Sequence, residues 1–278
     1  RALRNNGTEC KLEYRFKHVS HLRLTVDLRY FPDSPFIRYR YALRSDTPVV
    51  LTKRAGRDNL LYTGLRLTQQ GVRCTEIQFS QFNQMNHCYQ PAVEARDQNV
   101  LEEGCAYPGP ITVVEHDGGC VLIAYEHGAE YPDTYIEHRV KTSDDGLSLD
   151  IAAVKGNYYH GEEISAAHPH ITPWFHAAAI AGGQAQMFTH YRQFFLKYIS
   201  ENNESRKPYV YYNTWNAQER DKYYGGLPYL KNITLDHMLN EIEIAHRMGV
   251  DVFVIDNGWF ESAGEWRVDT DRFPDGMK

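Results

Sequence analysis

The chain has 278 residues, 42% of them hydrophobic and 24% charged, with a formal net charge of −6 at pH 7. That composition describes a globular protein able to bury its own core, and it excludes a disordered tail or a scaffold that needs disulfides to fold. A negative balance without a basic tract argues against nucleic acid as a partner, and no apolar run reaches the length of a membrane span.

The five cysteines (Cys10, Cys74, Cys88, Cys105 and Cys120) are odd in number and include no C-x-x-C pair. They are therefore read as buried thiols rather than as a disulfide framework or a zinc ribbon. The chain opens on Arg1 without an initiating Met or a signal peptide, so its true start is expected to lie upstream and its compartment stays open.

Residues 22–30 alternate strictly, with Leu22, Leu24, Val26, Leu28 and Tyr30 on one face and Arg23, Thr25, Asp27 and Arg29 on the other. This is the pattern of a half-buried strand. Pro32-Asp33-Ser34-Pro35 predicts a turn, and Ile37, Tyr39, Tyr41 and Leu43 resume the alternation. "TVVEHDGGCVLIAYE" predicts two apolar strands about Asp117-Gly118-Gly119, whose glycines accept the positive φ of a tight hairpin. Leu147, Leu149 and Ile151 continue the theme. Short strands with turn signals, extending to about residue 170 with almost no helical periodicity, predict a large β-sandwich.

The period then changes. Met187, Tyr191, Phe194, Phe195 and Tyr198 stand at helical spacing, and the polar stretch from Glu201 to Pro208 reads as a junction. "YVYYNTW" predicts a short strand. Residues 234–249 predict a helix with Thr234 as N-cap, an apolar face of Leu235, Met238, Leu239, Ile242 and Ala245, and Gly249 as its stop. The strand "VDVFVI" follows at once, which completes a βαβ unit of a parallel sheet. A closed β/α barrel needs about 250 residues, so the chain is expected to hold only the start of one.

Ligands of parallel α/β folds bind beyond the carboxyl ends of the strands. Two stretches lie there: Asn213-Thr214-Trp215, and Asp256-Asn257-Gly258-Trp259. An acid and an amide can together accept from and donate to neighbouring hydroxyls, and an indole offers an apolar face to the C–H surface of a sugar. The same residues also suit a plainer role, with Asp256 capping the next loop and both tryptophans in the core. His168-Pro169-His170 and His176 invite a metal reading, but no Glu or Cys stands at a familiar ligand spacing. Phosphate-binding glycine loops and a G-x-S-x-G motif are absent, and no cofactor is implied. The tyrosine pairs Tyr158-Tyr159, Tyr211-Tyr212 and Tyr223-Tyr224 could line a sugar groove, but structural roles in cores and interfaces are the favoured reading.

"YYNTW", the amphipathic helix, "GVDVFVIDNGWF" and "GEWRVDTDRFPDGMK" together resemble the start of the catalytic barrel of glycoside hydrolase family thirty-six, the α-galactosidases and their relatives. That family shows an N-S-W-like motif after its first barrel strand, D-D-G-W-F after the second, and G-D-W-x-V-D-x-x-x-F-P-x-G-L-K beyond. The resemblance implies a galactose-mutarotase-like β-supersandwich over residues 1–183, a helical linker over 184–207, and the first βαβ unit of a (β/α)8 TIM barrel over 208–278. Upstream the likeness is one of architecture, since "YPGPITVV" stands where the family has an H-N-P-F-like stretch.

The implied activity is that of a retaining, exo-acting glycosidase that removes terminal α-linked galactose and carries two carboxylates about 5–5.5 Å apart. In the family both lie on later strands, the nucleophile in a K-x-D-x-N motif that this chain does not contain. The implied sugar-binding residues are Asp256, at the first acid of D-D-G-W, Trp215, and Asn257, which replaces the second acid. Paired acids hold the C4 and C6 hydroxyls of galactose in the family, so an amide there changes recognition and implies a different α-linked sugar, such as N-acetylgalactosamine, or a site that has drifted. An α-N-acetylgalactosaminidase is thus one alternative. A raffinose-synthase-like transglycosidase, which would share this half of the protein, and a non-catalytic carbohydrate-binding or assembly module stand as further alternatives. A homo-oligomer is also implied.

Overall fold

The computed structural model describes residues 6–52, 61–67, 72–79, 82–83, 88–89, 93–98, 104–107, 109–126, 136–143, 146–153, 161–200, 202–226 and 232–277. Tyr158 and Tyr159 lie outside them. The chain divides into two compact units, Arg1–Glu201 and Asn202–Lys278.

The first unit is a sandwich of mostly antiparallel sheet. Its strands are β1 (Thr8–Phe16), β2 (Val19–Tyr30), β3 (Ile37–Ser45), β4 (Leu61–Leu67), β5 (Arg73–Phe79), β6 (Val93–Gln98), β7 (Ile111–His116), β8 (Gly119–Tyr125), β9 (Ile136–Ser143), β10 (Gly146–Ala153) and β11 (Phe175–Ile180). A nine-stranded sheet runs β1-β2-β3-β11-β8-β7-β5-β6, with the short strand His170–Ile171 also paired to β3. The second sheet runs from Ala106–Tyr107 through β9 and β10 to β4.

Between the sheets lies one core cluster. Tyr39, Cys74, Val114, Ile123, Tyr125 and Phe175 enter it from the large sheet, and Tyr107, Val140, Leu149 and Ile151 from the small one. The opposite face of the large sheet is also buried. There Val113, Leu122, Ala124 and Ala178 pack with Phe31 and Phe36 against Met187, Phe194 and Tyr198 of the helical segment that follows the sandwich. Cover on both sides is why β7 and β8 read as continuous apolar runs while β2 and β3 alternate.

The sheet extends past residue 170, because β11 ("FHAAAI") forms one of its central strands. Its alanines carry neither β-propensity nor alternation; Ala178 packs with the covering helix and Ala177 against the core between the sheets. In the β7–β8 hairpin only Gly118 takes a positive φ (+94°). Gly119 is needed for space, since a Cβ there would lie 2.4 Å from the Ile180 carbonyl oxygen.

Helix α1 (Gln184–Phe194) runs into a π turn, Phe195–Ile199, closed by the Ser200 N–H donating to the Phe195 carbonyl at 2.8 Å. The turn keeps Tyr198 buried beneath Phe194 and leaves Phe195, expected on the same face, 41% exposed. The thiols also divide. Cys74 and Cys120 are buried, and burial pushes Cys74 up to about 12, whereas Cys10 and Cys105 are only partly covered.

The polar face of β2 is buried more deeply than half-burial implies. Asp27, 4% exposed, sits between Lys11 (3.2 Å) and Arg40 (2.9 Å), and Glu9 is held by Arg29 at 2.8 Å. The guanidinium groups of Arg29, Arg38 and Arg40 gather over the Trp174 ring at 4.4, 4.4 and 4.5 Å. Arg38 grips Glu126 through two bonds of 2.5 and 2.7 Å, and the same carboxylate accepts from His176 at 2.6 Å. Burial keeps His176 below its ordinary value, so its neutral ring donates from Nε2 to Glu126 and accepts at Nδ1 from the Tyr191 hydroxyl at 3.2 Å. This chain of bonds ties β3, the end of β8, β11 and α1 together. His170 bonds instead to Glu162, and among the described residues no three His, Cys, Asp or Glu side chains gather as a metal site. No helix among the described residues is long and apolar enough to cross a membrane.

In the second unit, β12 (Tyr211–Asn213) and β13 (Val252–Val254) pair in parallel, Tyr211 opposite Val252 and Asn213 opposite Val254. Two helices connect them, α2 (Trp215–Tyr223) and α3 (Leu235–Arg247). Sequence periodicity anticipates α3 but not α2. The α3 face differs from expectation, because Met238 and Ala245 are buried while Leu239 and Ile242 stand 56% and 40% exposed. Ile233, Met238 and Phe273 form the core of this unit with Phe253 and Trp259 packed on it.

Burial pushes the Glu126 carboxyl up, but the bonds from His176 and Arg38 outweigh it and hold it at about 2. A carboxyl lowered by folding stabilises the folded state above its ordinary range and loses that contribution as pH falls through the folded value. The sandwich should therefore lose stability between about pH 4.5 and 2, and Glu126→Gln should flatten that slope in acid-denaturation curves. Glu126→Ala strands the buried His176 and the half-buried Arg38 and should cost about 3 kcal/mol by chemical denaturation.

Candidate functional site

Thr214, 2% exposed, is the hub at the carboxyl ends of the two parallel strands. Its N–H donates to the Val254 carbonyl at 3.1 Å, which continues the ladder by one step. Its hydroxyl accepts from the Asp256 N–H at 2.9 Å and from Gln218 Nε2 at 3.0 Å. Gln218, one turn along α2 and 5% exposed, also donates to the Asn257 carbonyl at 3.2 Å. The segment that follows β13 is thus bonded to the helix that follows β12.

The polar side chains sit on this frame. Asn213 Oδ1 accepts from the Trp215 N–H at 2.7 Å, an Asx turn that opens α2 and fixes which way the amide points. Its Nδ2 then donates to Asp256 Oδ2 at 2.9 Å, with the Tyr211 hydroxyl a further acceptor at 3.3 Å. Asp256 Oδ1 accepts from the Asn257 N–H at 2.8 Å. A carboxylate offers about four acceptor positions, and these bonds occupy one on each oxygen. The Asn257 side chain makes no hydrogen bond among the described residues, and Gly258 turns the chain at φ +99°. Trp215 is 36% exposed at the first turn of α2.

The structure therefore brings Asp256 together with Asn213, and Asn257 with Gln218 through its main chain. It sets Trp215 two residues beyond Asn213. Asp256 does bond its own loop, as the capping role requires, yet it keeps acceptor capacity beyond that. Trp259 divides from Trp215, since it packs on the core of the second unit.

The sequence names Thr214 only within Asn213-Thr214-Trp215, without its bridging role, and does not single out Gln218 or Trp266. The i, i+4 spacing of Thr214 and Gln218 is a usable signal once α2 is recognised. Trp266 takes a left-handed φ of +54°, unusual for a bulky residue, and is 57% exposed while stacking on Trp259 at 6.3 Å and meeting Phe260 edge-on at 4.8 Å.

Comparison with known proteins gives the fold a context. No protein-family model matches the chain. An α-galactosidase of Escherichia coli is 29% identical over 113 residues, 38% of this chain and 14% of that enzyme. The α-galactosidase of Lactobacillus brevis superposes with a TM-score of 0.66 at 15% identity, over 98% of this chain and 36% of the other. A family 36 α-galactosidase of Geobacillus stearothermophilus, solved with 1-deoxygalactonojirimycin, gives 0.66 at 12% identity over 99% of this chain and 37% of its own. The chain is thus similar in fold, along nearly its whole length, to a little over a third of α-galactosidases of that family. It spans far less than two thirds of any of these relatives.

Thr214→Val keeps the shape but removes the acceptor of two donors. Leaving them unmet should cost about 1–3 kcal/mol, and denaturation of the intact protein should report the loss. Unchanged stability would mean that the two strand ends are held together without this hydroxyl.

Proposed function

We propose that this chain is the amino-terminal part of a retaining, exo-acting glycosidase of the α-galactosidase kind, in which the second unit opens a (β/α)8 barrel and Asp256, Asn257 and Trp215 line the subsite of the terminal sugar. The observation that carries this reading is the Asp256 carboxylate. It is oriented by Asn213 and by the Asn257 N–H at the carboxyl ends of two parallel strands, with acceptor capacity left for two hydroxyls. In a larger parallel sheet, neighbouring strands and helices would cover Leu239 and Ile242, both exposed here. We divide the chain into a sandwich over 1–183, a helical linker over 184–207 and the barrel start over 208–278, and we expect the intact protein to be a homo-oligomer.

Chemistry in this reading needs two carboxylates about 5–5.5 Å apart, one attacking the anomeric carbon and the other protonating the leaving oxygen and then activating water. We assign neither role to Asp256, Asn257 or Trp215, whose work is to hold the ring. α-Galactosides are the first substrates to test, because the Geobacillus enzyme was solved with raffinose and with stachyose.

One observation favours a second sugar. Asn257 has an amide side chain uncommitted among the described residues, and an amide can donate to an acyl carbonyl as a carboxylate cannot. An α-N-acetylgalactosaminide is therefore the competing substrate. A transglycosidase would share the same subsite and differ in its acceptor.

In the intact protein, Asp256→Ala should remove two charge-assisted hydrogen bonds, each worth about 1.5–3 kcal/mol, and abolish useful kcat/KM on α-galactosides. Trp215→Ala should lower kcat/KM at least about tenfold, equivalent to roughly 1.4 kcal/mol. Asn257→Asp should raise the ratio of kcat/KM on α-galactosides to that on α-N-acetylgalactosaminides. Full activity in Asp256→Ala would overturn the subsite, and an unchanged ratio would remove Asn257 from sugar discrimination.

A further inference from the structure

We propose that Trp266 is the platform for the second sugar unit of the substrate, the one released when the terminal sugar is removed. The inference deepens the glycosidase reading and rests on it.

The segment that follows the Asp256 corner is a short hairpin. Phe260 bridges Val268 in antiparallel fashion, the Glu261 N–H donates to the Arg267 carbonyl at 3.0 Å, and the Asp269 N–H donates to the Trp259 carbonyl at 2.9 Å. Its root is fixed twice. Trp259 and Val268 pack on the core of the second unit, and Arg272 donates to the Gly258 carbonyl at 2.8 Å while pairing with Asp269 at 3.2 Å. Gly264, at φ +98°, turns the tip. Trp266 stands three residues from Asp269, at most about 10 Å beyond the root.

Exposure of a single apolar side chain is ordinary and says little. The conformation of Trp266 says more. Among the described residues only Trp266 and Asn6 take a positive φ without being glycine. Asn tolerates that region, whereas a bulky side chain is strained in it, and such strain persists where the surroundings impose it, often at binding sites. Here the surroundings are aromatic. Trp266 stacks on Trp259 at an interplanar angle of 26° and meets the Phe260 ring edge-on, so the indole is held in one place and is still more than half exposed.

Location selects the ligand. In a parallel α/β unit the loop after a strand lies on the ligand side, and further strands are added beside the first ones rather than over that face. A terminal ring held by Asp256 sits at the strand ends, so the rest of a sugar chain leads outward on the side where the hairpin stands. An indole offers an apolar face to the C–H surface of a ring. Glu265 and Arg267, the neighbours of Trp266 in the chain, pair at 3.0 Å and are both exposed, which places an acceptor and donors for hydroxyls beside that face. The work is then divided: the Asp256 corner selects the terminal sugar, and Trp266 selects what that sugar is attached to.

The test uses the intact protein and two substrates with the same terminal galactose. Raffinose carries further sugar units, whereas α-galactosyl fluoride has a leaving group too small to reach the indole. Trp266→Asn removes the ring and tolerates the left-handed φ. It should lower the ratio of kcat/KM on raffinose to that on the fluoride at least about tenfold. A loss of folded protein lowers both rates together and leaves the ratio alone, so the ratio reports the platform and not stability. An unchanged ratio, whether from equal losses or from none, would overturn the platform while the terminal-sugar subsite stands. A wild-type protein that turns over neither substrate would overturn the glycosidase reading and the platform with it.

Discussion

Three residues of parallel pairing, Tyr211–Asn213 beside Val252–Val254, are the constraint on which the site depends. Parallel strands place both carboxyl ends on the same side, and the ladder continues into Thr214 through its bond to Val254. That one step puts a buried hydroxyl where the Asp256 N–H can reach it, and Asp256 in turn comes within 2.9 Å of the Asn213 amide. Without the pairing, the acid and the amide would be surface residues 43 positions apart. With it they form a fixed polar corner, the Asn213 amide oriented by the Trp215 N–H and the Asp256 carboxylate by the Asn257 N–H.

The sandwich solves a different problem by similar means. A nine-stranded sheet covered by a second sheet on one face and by α1 on the other has to join these layers, and apolar contact alone is non-directional. The bonds from Arg38 to Glu126, from His176 to Glu126 and from Tyr191 to His176 supply direction. Their members come from β3, from the end of β8, from β11 and from the covering helix. Charges so placed are costly to break singly, and they fix which helix face meets the sheet. Beyond the helix, the Trp174 ring takes the same role for three arginines that apolar neighbours could not accommodate.

Much of this was legible where a single physical rule governs a stretch. Strict alternation located β2 and β3, the Asp117-Gly118 turn located the β7–β8 hairpin, and Thr234 and Gly249 bracketed α3. Legibility failed where two rules compete. The alanines of β11 have poor strand propensity, and only packing explains their place: Ala178 lies under the helix and Ala177 against the core between the sheets. Phe195 fits a helical face and still meets Tyr191, but it lies at the edge of that face and stays 41% exposed. Leu239 and Ile242 fit an inward face of α3, yet this unit offers them nothing to bury against. At the candidate site, Asp256, Asn257 and Trp215 were singled out because they follow strands, whereas Gln218, and the part Thr214 plays within Asn213-Thr214-Trp215, escaped notice because α2, which aligns the two, lacks apolar periodicity. The family resemblance suggested a sugar, and the bond geometry of Asp256 explains in chemical terms how one could be held.

The most direct test of the account is a crystal structure of the intact protein soaked with galactose and, separately, with N-acetylgalactosamine. The account predicts a ring at the carboxyl ends of β12 and β13, with two of its hydroxyls within hydrogen-bonding distance of the Asp256 carboxylate and the Asn257 amide facing the ligand. A sugar bound elsewhere, with Asp256 engaged only by Asn213 and its own loop, would contradict it.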